Sequence, residues 1–332
     1  MENRTLTYTH SPHTKAPKTT RQIMLHVCIA LIPAIVMSIV YFGLNAFLLI
    51  LVSLASAVLS EAVYLLLIKM SVKDIIKQFD CSTCVTGLLV ALSMGSQTPL
   101  YVPAFASAFA IIVVKMIFGG TGKNLVNPAI TGRIFAFISF TAVMASGWLA
   151  PSISSIYSSG ASSVTTGATI LTSLLENGSA YLSNVDLLLG TGVVGCMGET
   201  CKVALIVGGL YLVIMDIINP LYPITYVAIT GLMSVVLNGF EFYYFLPSIL
   251  SGGLIFGAIF MATDYTTTPN TTIGNILYFV LLGVITGVLR YFTKMEVVSF
   301  AILLMNLVVP LIDKFIIPRP FGYKKTKKVK GE

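Results

Sequence analysis

Apolar stretches about as long as a membrane-spanning helix recur along the whole chain, separated by short polar segments. A bilayer core about 30 Å thick requires about 20 apolar residues in a helix that crosses it. Ten stretches approach that length: 22–42, 45–69, 82–97, 99–118, 127–148, 200–218, 221–238, 244–262, 275–290 and 296–313. The pattern predicts an all-α membrane protein with about ten transmembrane helices.

Two of these stretches share a pattern that indicates an internal repeat. Residues 85–99 and 252–269 each run from glycine-interrupted apolar residues through Ser or Thr to a proline, at corresponding places in two halves of five helices. Because five is odd, the halves have opposite orientations, and paired broken helices of this kind often line a midplane site. We therefore predict two inverted five-helix repeats with broken helices 3 and 8.

Polar segments divide the chain into five parts. They are a cytoplasmic N-terminal segment (1–21), a first five-helix repeat (22–148), an extracytoplasmic loop (149–199), a second five-helix repeat (200–313) and a basic cytoplasmic tail (314–332). Met1 to Thr20 is polar and unlike a cleavable leader, so the first apolar stretch is expected to remain as a membrane anchor.

Composition agrees with this interpretation. The 332 residues are 56% hydrophobic and 10% charged, and the mean hydropathy is +0.91, whereas a soluble domain is about one quarter charged. These values exclude a water-soluble enzyme, a disordered chain and a cytosolic DNA-binding protein.

The net charge of +7 is distributed unevenly. With ten helices, seventeen of the twenty Lys and Arg residues fall on one face, and none lies between residues 149 and 198. Because Lys and Arg concentrate on the cytoplasmic side, both termini are expected in the cytoplasm of a multi-pass protein of the cell (inner) membrane, and the long loop outside. Lys202, Arg290 and Lys294 are exceptions. For the basic tail, contact with the membrane surface is favoured over contact with RNA.

Four ionisable residues fall near predicted membrane depth, where charge is costly and a functional role is a common explanation. They are Glu61, Arg133, Asp216 and Asp264. A hydrogen-bonded structural carboxyl is the alternative for Glu61, which is the deepest, and exposure at the interface is the alternative for the other three. One or two carboxylates do not form a sodium cage.

Other motifs are less specific. Gly119 to Gly122, before Asn127 and Pro128, could cradle a phosphate at a helix N-terminus or form a tight interhelical turn, and no Walker A sequence follows. Cys81 and Cys84 form a CxxC on the inner side, whereas Cys196 and Cys201 lie outside, where a disulfide between them is one alternative. We predict no metal site and no catalytic residue.

The outer loop contains the sequence Thr166-Gly167-Ala168-Thr169. In a loop rich in Ser and Thr, four small residues are a weak signal alone. The sequence resembles the Ser/Thr-Gly-Ala-Thr flavinylation motif of two related membrane redox complexes, although Ser is usual where Thr166 stands.

Further blocks along nearly the whole chain resemble the same family. They are Ser11-Pro12-His13, Thr19 to Met24, Val85 to Ser93, Phe118 to Ala129, Gly198-Glu199-Thr200, Phe260 to Asp264 with Pro269, Ala301 to Asn306, and Pro310 to Asp313. The family is that of the D subunit of the ion-translocating ferredoxin:NAD oxidoreductase (Rnf) complex, which is similar to the B subunit of the sodium-translocating NADH:quinone reductase. The short N-terminal region favours the first branch.

The resemblance implies a redox role for the chain. FMN would be joined through its phosphate to the Thr169 hydroxyl, with Thr166, Gly167 and Ala168 around it, and electron transfer would be coupled to Na⁺ or H⁺ movement. A second, noncovalent flavin such as riboflavin is possible among the helices. We assign Asn124, Arg133 and Asp264 as candidate cofactor-binding residues.

The resemblance also implies partners. These are the G subunit of the Rnf complex with its own covalent FMN, the A and E subunits in the membrane, the ferredoxin- and NADH-facing B and C subunits, a flavin transferase during maturation, and the lipid membrane, with no nucleic acid. The alternative function is a stand-alone inverted-repeat transporter or channel that has no flavin and uses the broken helices.

Overall fold

The computed structural model describes residues 18–146, 171, 173, 174 and 183–317. The N-terminal segment to residue 17, most of the loop from 147 to 182 and the basic tail from 318 lie outside the described residues. Within the described part, the secondary structure is helical, and no strand is present.

The helices follow the predicted apolar stretches. They are α1 (Thr20–Phe42), α2 (Leu44–Leu67), α3 (Val72–Gln78), α4 (Ser82–Leu92), α5 (Tyr101–Phe109), α6 (Pro128–Ser139), α7 (Thr141–Ser146), α8 (Asn184–Leu189), α9 (Lys202–Ile214), α10 (Leu221–Leu237), α11 (Phe245–Leu250), α12 (Leu254–Phe256), α13 (Thr272–Thr293) and α14 (Val298–Phe315). Two of them, α5 and α12, continue as π-helices, at Ala110–Met116 and Gly257–Met261. Short 3₁₀ helices lie at Met197–Glu199 and Phe242–Tyr244.

Four helices of the described part, α1, α2, α13 and α14, are long and apolar enough to cross a membrane. The described part of the chain is thus all helical, with the long apolar helices of a membrane protein. Five other apolar helical segments, of 10–17 residues each, coincide with predicted spans but are shorter than an untilted bilayer crossing requires. The count of ten spans and the inverted repeat remain predictions.

The eighth predicted span is broken. The segment Phe242–Leu250 and the segment Leu254–Met261 meet at an angle of 66°, and taken together they are apolar enough to form a fifth span. Gly252 stands in the break with φ +65°, a left-handed conformation that glycine adopts without strain. The break predicted for helix 8 is therefore present.

The third predicted span is helical only to Leu92 and continues as turns to Leu100. The carbonyl of Met94 accepts a hydrogen bond from the backbone N–H of Met197, at 2.9 Å. The end of the predicted outer loop thus satisfies the backbone where α4 ends, as a broken helix at membrane depth requires.

The end of the predicted outer loop is packed into the protein. Leu187 in α8 is fully buried, and residues 193–201 are buried throughout. Gly198 fits against Leu92, because a Cβ on this glycine would lie 2.7 Å from the Leu92 Cβ. Residues 193–199 are therefore part of the helical core, although they precede the predicted boundary at residue 200.

The two halves of the chain contact each other mainly through α1 with α9 and through α6 with α14. Gly208 of α9 is the point of closest approach to α1, because a Cβ there would overlap the Ala30 carbonyl oxygen. A Cβ added to the adjacent Gly209 would instead lie 3.0 Å from Ile259 Cδ1, which is the flexible end of a side chain.

We predict that Gly208→Ala lowers the stability of the purified protein by about 1–3 kcal/mol, because backbone atoms of α1 cannot move aside easily. Gly209→Ala is the matched control. Its clash is relieved by a side-chain rotation, and alanine favours the helix by about 1 kcal/mol. Thermal unfolding in detergent measures the difference, and equal midpoints for the two variants would contradict the packing described.

Candidate functional site

Two of the predicted cofactor-binding residues, Asn124 and Asp264, line one pocket. Its walls come from the start of α1, the start of α4, the segment before α6, and the end of the π-helix that follows α12. Its apolar lining includes Val27, Val85, Leu89, Ile259 and Phe260. Polar groups at its edges come from Ser82, Lys115, Thr121 and Asn127. A second cleft of about 660 Å³ adjoins this pocket and shares Thr121 and Tyr265 with it.

The Asn124 side chain presents an unsatisfied acceptor in this pocket. Its Oδ1 atom is buried and has no hydrogen-bond partner among the described residues. Buried polar atoms without partners are uncommon and call for an explanation, such as a bound molecule. A ligand with an N–H or O–H group is one such explanation.

Asp264 is held in a local turn at the pocket edge. Its Oδ2 accepts a hydrogen bond from the Thr266 hydroxyl at 2.9 Å, and Oδ1 accepts one from the Thr266 backbone N–H at 3.3 Å. Burial raises the pKa of Asp264, and the bonds from Thr266 only partly offset this effect.

Asn127 organises the junction beside the pocket. Its Oδ1 caps α6 by accepting from the backbone N–H groups of Ala129 (2.9 Å) and Ile130 (3.4 Å), and its Nδ2 donates to the Met261 carbonyl at 3.1 Å. The Asn306 amide of α14 lies 3.1 Å from the Asn127 backbone N. One residue thus fixes α6 against both α14 and the end of the broken helix.

The glycine-rich segment 119–122 forms a tight turn. The N–H groups of Gly119 and Gly120 donate to the carbonyls of Met116 and Lys115, both at 3.0 Å, and Gly119, Gly120 and Gly122 have φ of +107°, +90° and +89°. Asn127 already occupies two amides at the start of α6. The structure therefore favours the interhelical turn over the phosphate cradle.

Arg133 lies apart from the pocket. Its guanidinium NH2 donates to Cys196 Sγ at 3.4 Å, and it faces the carboxylates of Glu199 and Glu296. The structure therefore brings Asn124 and Asp264 together but places Arg133 in a different group of buried charges.

The deep carboxylate of Glu61 is paired. Lys115, of which 1% is exposed, donates to Glu61 Oε1 at 3.0 Å and to the Thr83 hydroxyl at 2.6 Å, while Thr83 donates to Glu61 Oε2. Asp80 lies 4.0 Å from the same ammonium. Burial disfavours the ionised form of Asp80, but hydrogen bonds from Thr121 and Ser82 and the charge of Lys115 keep its pKa below the usual value.

A second group of buried charges surrounds the break between α11 and α12. Arg290 donates to the Ser248 carbonyl at 3.0 Å and forms an ion pair with Glu296, at 2.9 Å to Oε2. Lys202 donates to the carbonyls of Glu199 and Gly252, the latter at 2.7 Å. These buried cations account for two of the three exceptions to the charge asymmetry, because neither lies on a surface.

Sequence reasoning missed this second group. Counting Lys and Arg residues by loop assigns Lys202 and Arg290 to the outer face and Lys115 to the cytoplasmic face. It does not consider whether these side chains are buried. A signal was available for Lys202 and Arg290, since each lies in an apolar helix and has a carboxylate close in sequence, Glu199 and Glu296 respectively.

All five cysteines are free thiols. Cys196 and Cys201 are both buried, so the disulfide alternative is not realised. Cys28 of α1 lies near Cys81 and Cys84. Among the described residues, no group of three or more His, Cys, Asp or Glu side chains could hold a metal ion. The motif Thr166 to Thr169 lies outside the described residues.

Comparison with known proteins places the chain in a family. The family model described as the NQR2, RnfD, RnfE family matches residues 7–322. The chain is 37% identical to the D subunit of the Na⁺-translocating ferredoxin:NAD⁺ oxidoreductase complex of Acetobacterium woodii over 332 residues, which cover 99% of each chain.

Two further relatives give the same result. The D subunit of the proton-translocating ferredoxin:NAD⁺ oxidoreductase complex of Clostridium ljungdahlii is 33% identical, with 96% of this chain and 97% of the relative covered. The D subunit of the ion-translocating oxidoreductase complex of Stutzerimonas stutzeri is 32% identical, with 91% and 92% covered. The chain therefore belongs to the NQR2, RnfD, RnfE family and is a subunit of an ion-translocating oxidoreductase complex.

Proposed function

We propose that this chain is the membrane redox subunit of a ferredoxin:NAD oxidoreductase complex and relays electrons through FMN covalently bound to Thr169. The observation that carries the proposal is the Thr166-Gly167-Ala168-Thr169 sequence in a chain of this family. A threonine hydroxyl can attack the FMN phosphorus of FAD, which forms the phosphoester, breaks the pyrophosphate bond and releases AMP and the hydroxyl proton, and small neighbours give a flavin transferase access to the backbone. The resulting phosphoester would make the chain a flavoprotein with a modified threonine.

We propose that a second, noncovalent flavin such as riboflavin binds at the pocket lined by Asn124 and Asp264, which encloses about 90 Å³, and extends into the adjoining cleft of about 660 Å³. Its apolar walls can contact the flat faces of a ring system, and the orphaned Asn124 Oδ1 can accept a hydrogen bond from a ring N–H or a ribityl hydroxyl. A bound flavin supplies an electron carrier, while the protein supplies position and potential.

Two residues of the pocket would then have different roles in binding. Asn124 would orient the ligand, and Asp264, whose pKa is raised by burial, would stand at the pocket edge as a carboxyl able to hold a proton. Arg133 has no place in this pocket, and we do not assign it to the second flavin.

Electron transfer would be coupled to the movement of Na⁺ or H⁺ by the assembled complex. Relatives at 37% and 33% identity carry names with different ions, sodium and proton respectively. Sequence similarity to these relatives therefore supports the coupling of electron transfer to ion movement but favours neither Na⁺ nor H⁺.

We further propose the arrangement in the cell. The protein would lie in the inner membrane with both termini in the cytoplasm and the Thr169 loop outside, as two inverted five-helix repeats. Its partners would be the A, B, C, E and G subunits of the complex, and a flavin transferase during maturation. The second candidate function is that of a transporter without a flavin, and the 66° break between α11 and α12 favours it.

Substitution of Thr169 tests the covalent site. The full chain expressed with the flavin transferase should show yellow fluorescence under ultraviolet light as a denatured gel band. Thr169→Ala should abolish it, because the phosphoester oxygen is removed, whereas Thr165→Ala should retain it as the matched control. Fluorescence that persists in Thr169→Ala would contradict the assignment of FMN to Thr169. Absence of fluorescence from the unaltered chain would favour the transporter function.

Substitution in the pocket tests the second flavin independently. Asn124→Ala and Asp264→Asn should each reduce the flavin released when the complex is denatured by about tenfold or more, since a lost hydrogen bond to a buried group costs about 1–3 kcal/mol. The gel fluorescence of Thr169 should not change. Asn238→Ala, distant from the pocket, is the control, and unchanged release in both pocket variants would contradict the site.

A further inference from the structure

The cations around the α11–α12 break outnumber the carboxylates that face them. Three side chains carry or can carry positive charge: Arg133, Lys202 and Arg290. Among the described residues, two carboxylates face them, Glu199 and Glu296, and Cys196 is a further ionisable group in contact. Lys202 is 0% exposed, Arg290 2% and Glu199 4%, so water screens these three charges little, whereas Arg133 and Glu296 are half-buried.

The thiol does not supply the missing negative charge. Cys196 Sγ lies 2.9 Å from the Ser93 carbonyl oxygen, to which it donates. A sulfur that donates a hydrogen bond carries its proton. With Cys196 neutral, the group bears one excess positive charge whenever all of its amines, guanidinia and carboxylates are ionised.

Of the three cations, Lys202 is the one that can remove that excess by losing a proton. Arginine stays protonated in proteins, and Arg290 in addition contacts both carboxylate oxygens of Glu296, at 3.1 and 2.9 Å. With Lys202 neutral, two guanidinia face two carboxylates, and the buried group is balanced.

The hydrogen bonds of Lys202 agree with a neutral amine. Within the part of the chain that the structure describes, Nζ donates to two acceptors, the backbone carbonyls of Glu199 and Gly252, and to no carboxylate. A neutral amine has two N–H donors, and an ammonium has three. Lys115 is equally buried but contacts the Glu61 carboxylate at 3.0 Å, so it provides a charged counterpart in the same chain.

We propose that Lys202 is held as a neutral amine at neutral pH and that, together with Glu199, it forms a proton-binding site at the break between α11 and α12. This proposal does not depend on a flavin at Thr169. Binding is simple in chemical terms: a proton from solvent adds to the lone pair of Nζ, and no bond to a heavy atom is broken.

Glu199 provides the acceptor that the protonated state needs. Its Oε1 accepts from the Cys196 N–H at 2.7 Å, but its buried Oε2 has no partner among the described residues. That oxygen lies 2.6 Å from the position that a Cβ on Gly253 would occupy, against the peptide whose Gly252 carbonyl contacts Lys202. After a local rearrangement, this Oε2 would accept the third N–H of the ammonium.

The charge state of Lys202 can be measured by NMR of the full chain in detergent, with ¹⁵N- and ¹³C-labelled lysine. The Nζ signal of Lys202, identified by its loss in both Lys202→Met and Lys202→Arg, should appear at the neutral-amine position. The Nζ signal of Lys115, identified by Lys115→Arg, should appear at the ammonium position. On acidification the Lys202 signal should move reversibly to the ammonium position.

Each alternative outcome has a definite meaning. A Lys202 signal at the ammonium position throughout the pH range in which the protein stays folded would overturn the proposal. Saturable movement by Na⁺ at constant pH would overturn the assignment to a proton. If either Lys202 variant fails to fold, Glu199→Gln identifies the signal, because removal of the nearby charge should shift Lys202 and leave Lys115 unchanged.

Discussion

Inside a bilayer, every backbone polar group must find a partner within the protein, and this constraint governs the structure around each interruption of a helix. The break at residues 251–253 frees carbonyls that no helix satisfies. Arg290 and Lys202 donate to carbonyls at this break, and Glu296 and Glu199 accompany the two cations. The buried segment 193–201 places Glu199 against this break.

The buried lysine near the start of α4 is stabilised in a different way. Lys115 contacts the carboxylate of Glu61 and the hydroxyl of Thr83, so its charge is matched directly. At the α11–α12 break, by contrast, the described hydrogen bonds of Lys202 go to carbonyls. Two lysines of equal burial thus stand in opposite electrostatic environments, and Lys202 is the one placed to exchange a proton.

The amino-acid sequence predicts the elements well, because hydrophobic length and glycine or proline interruptions are local properties. The broken helix near Gly252 agrees with expectation, and the structure places Asn124 and Asp264 in the lining of one pocket. The partners of Glu61 and the position of Arg133 could not be predicted, since they depend on which helix faces meet. Counting cations by loop also treats Lys115, Lys202 and Arg290 as surface charges, although each is buried.

The two proposed flavin sites rest on different kinds of evidence. The pocket is a geometric feature, made where α6 is tied by Asn127 to the end of the broken helix and to α14. The flavin on Thr169 rests on a sequence motif in a chain whose family membership is shown. Under the proposed function, the protein would carry electrons on these cofactors, and its buried polar residues would hold the helices that surround them.

The number and attachment of flavins on the purified chain test this account most directly. After acid precipitation of the isolated chain, about one equivalent of flavin should stay with the protein pellet, and about one should be released to the supernatant. A pellet without flavin, from protein matured with an active flavin transferase, would contradict the account.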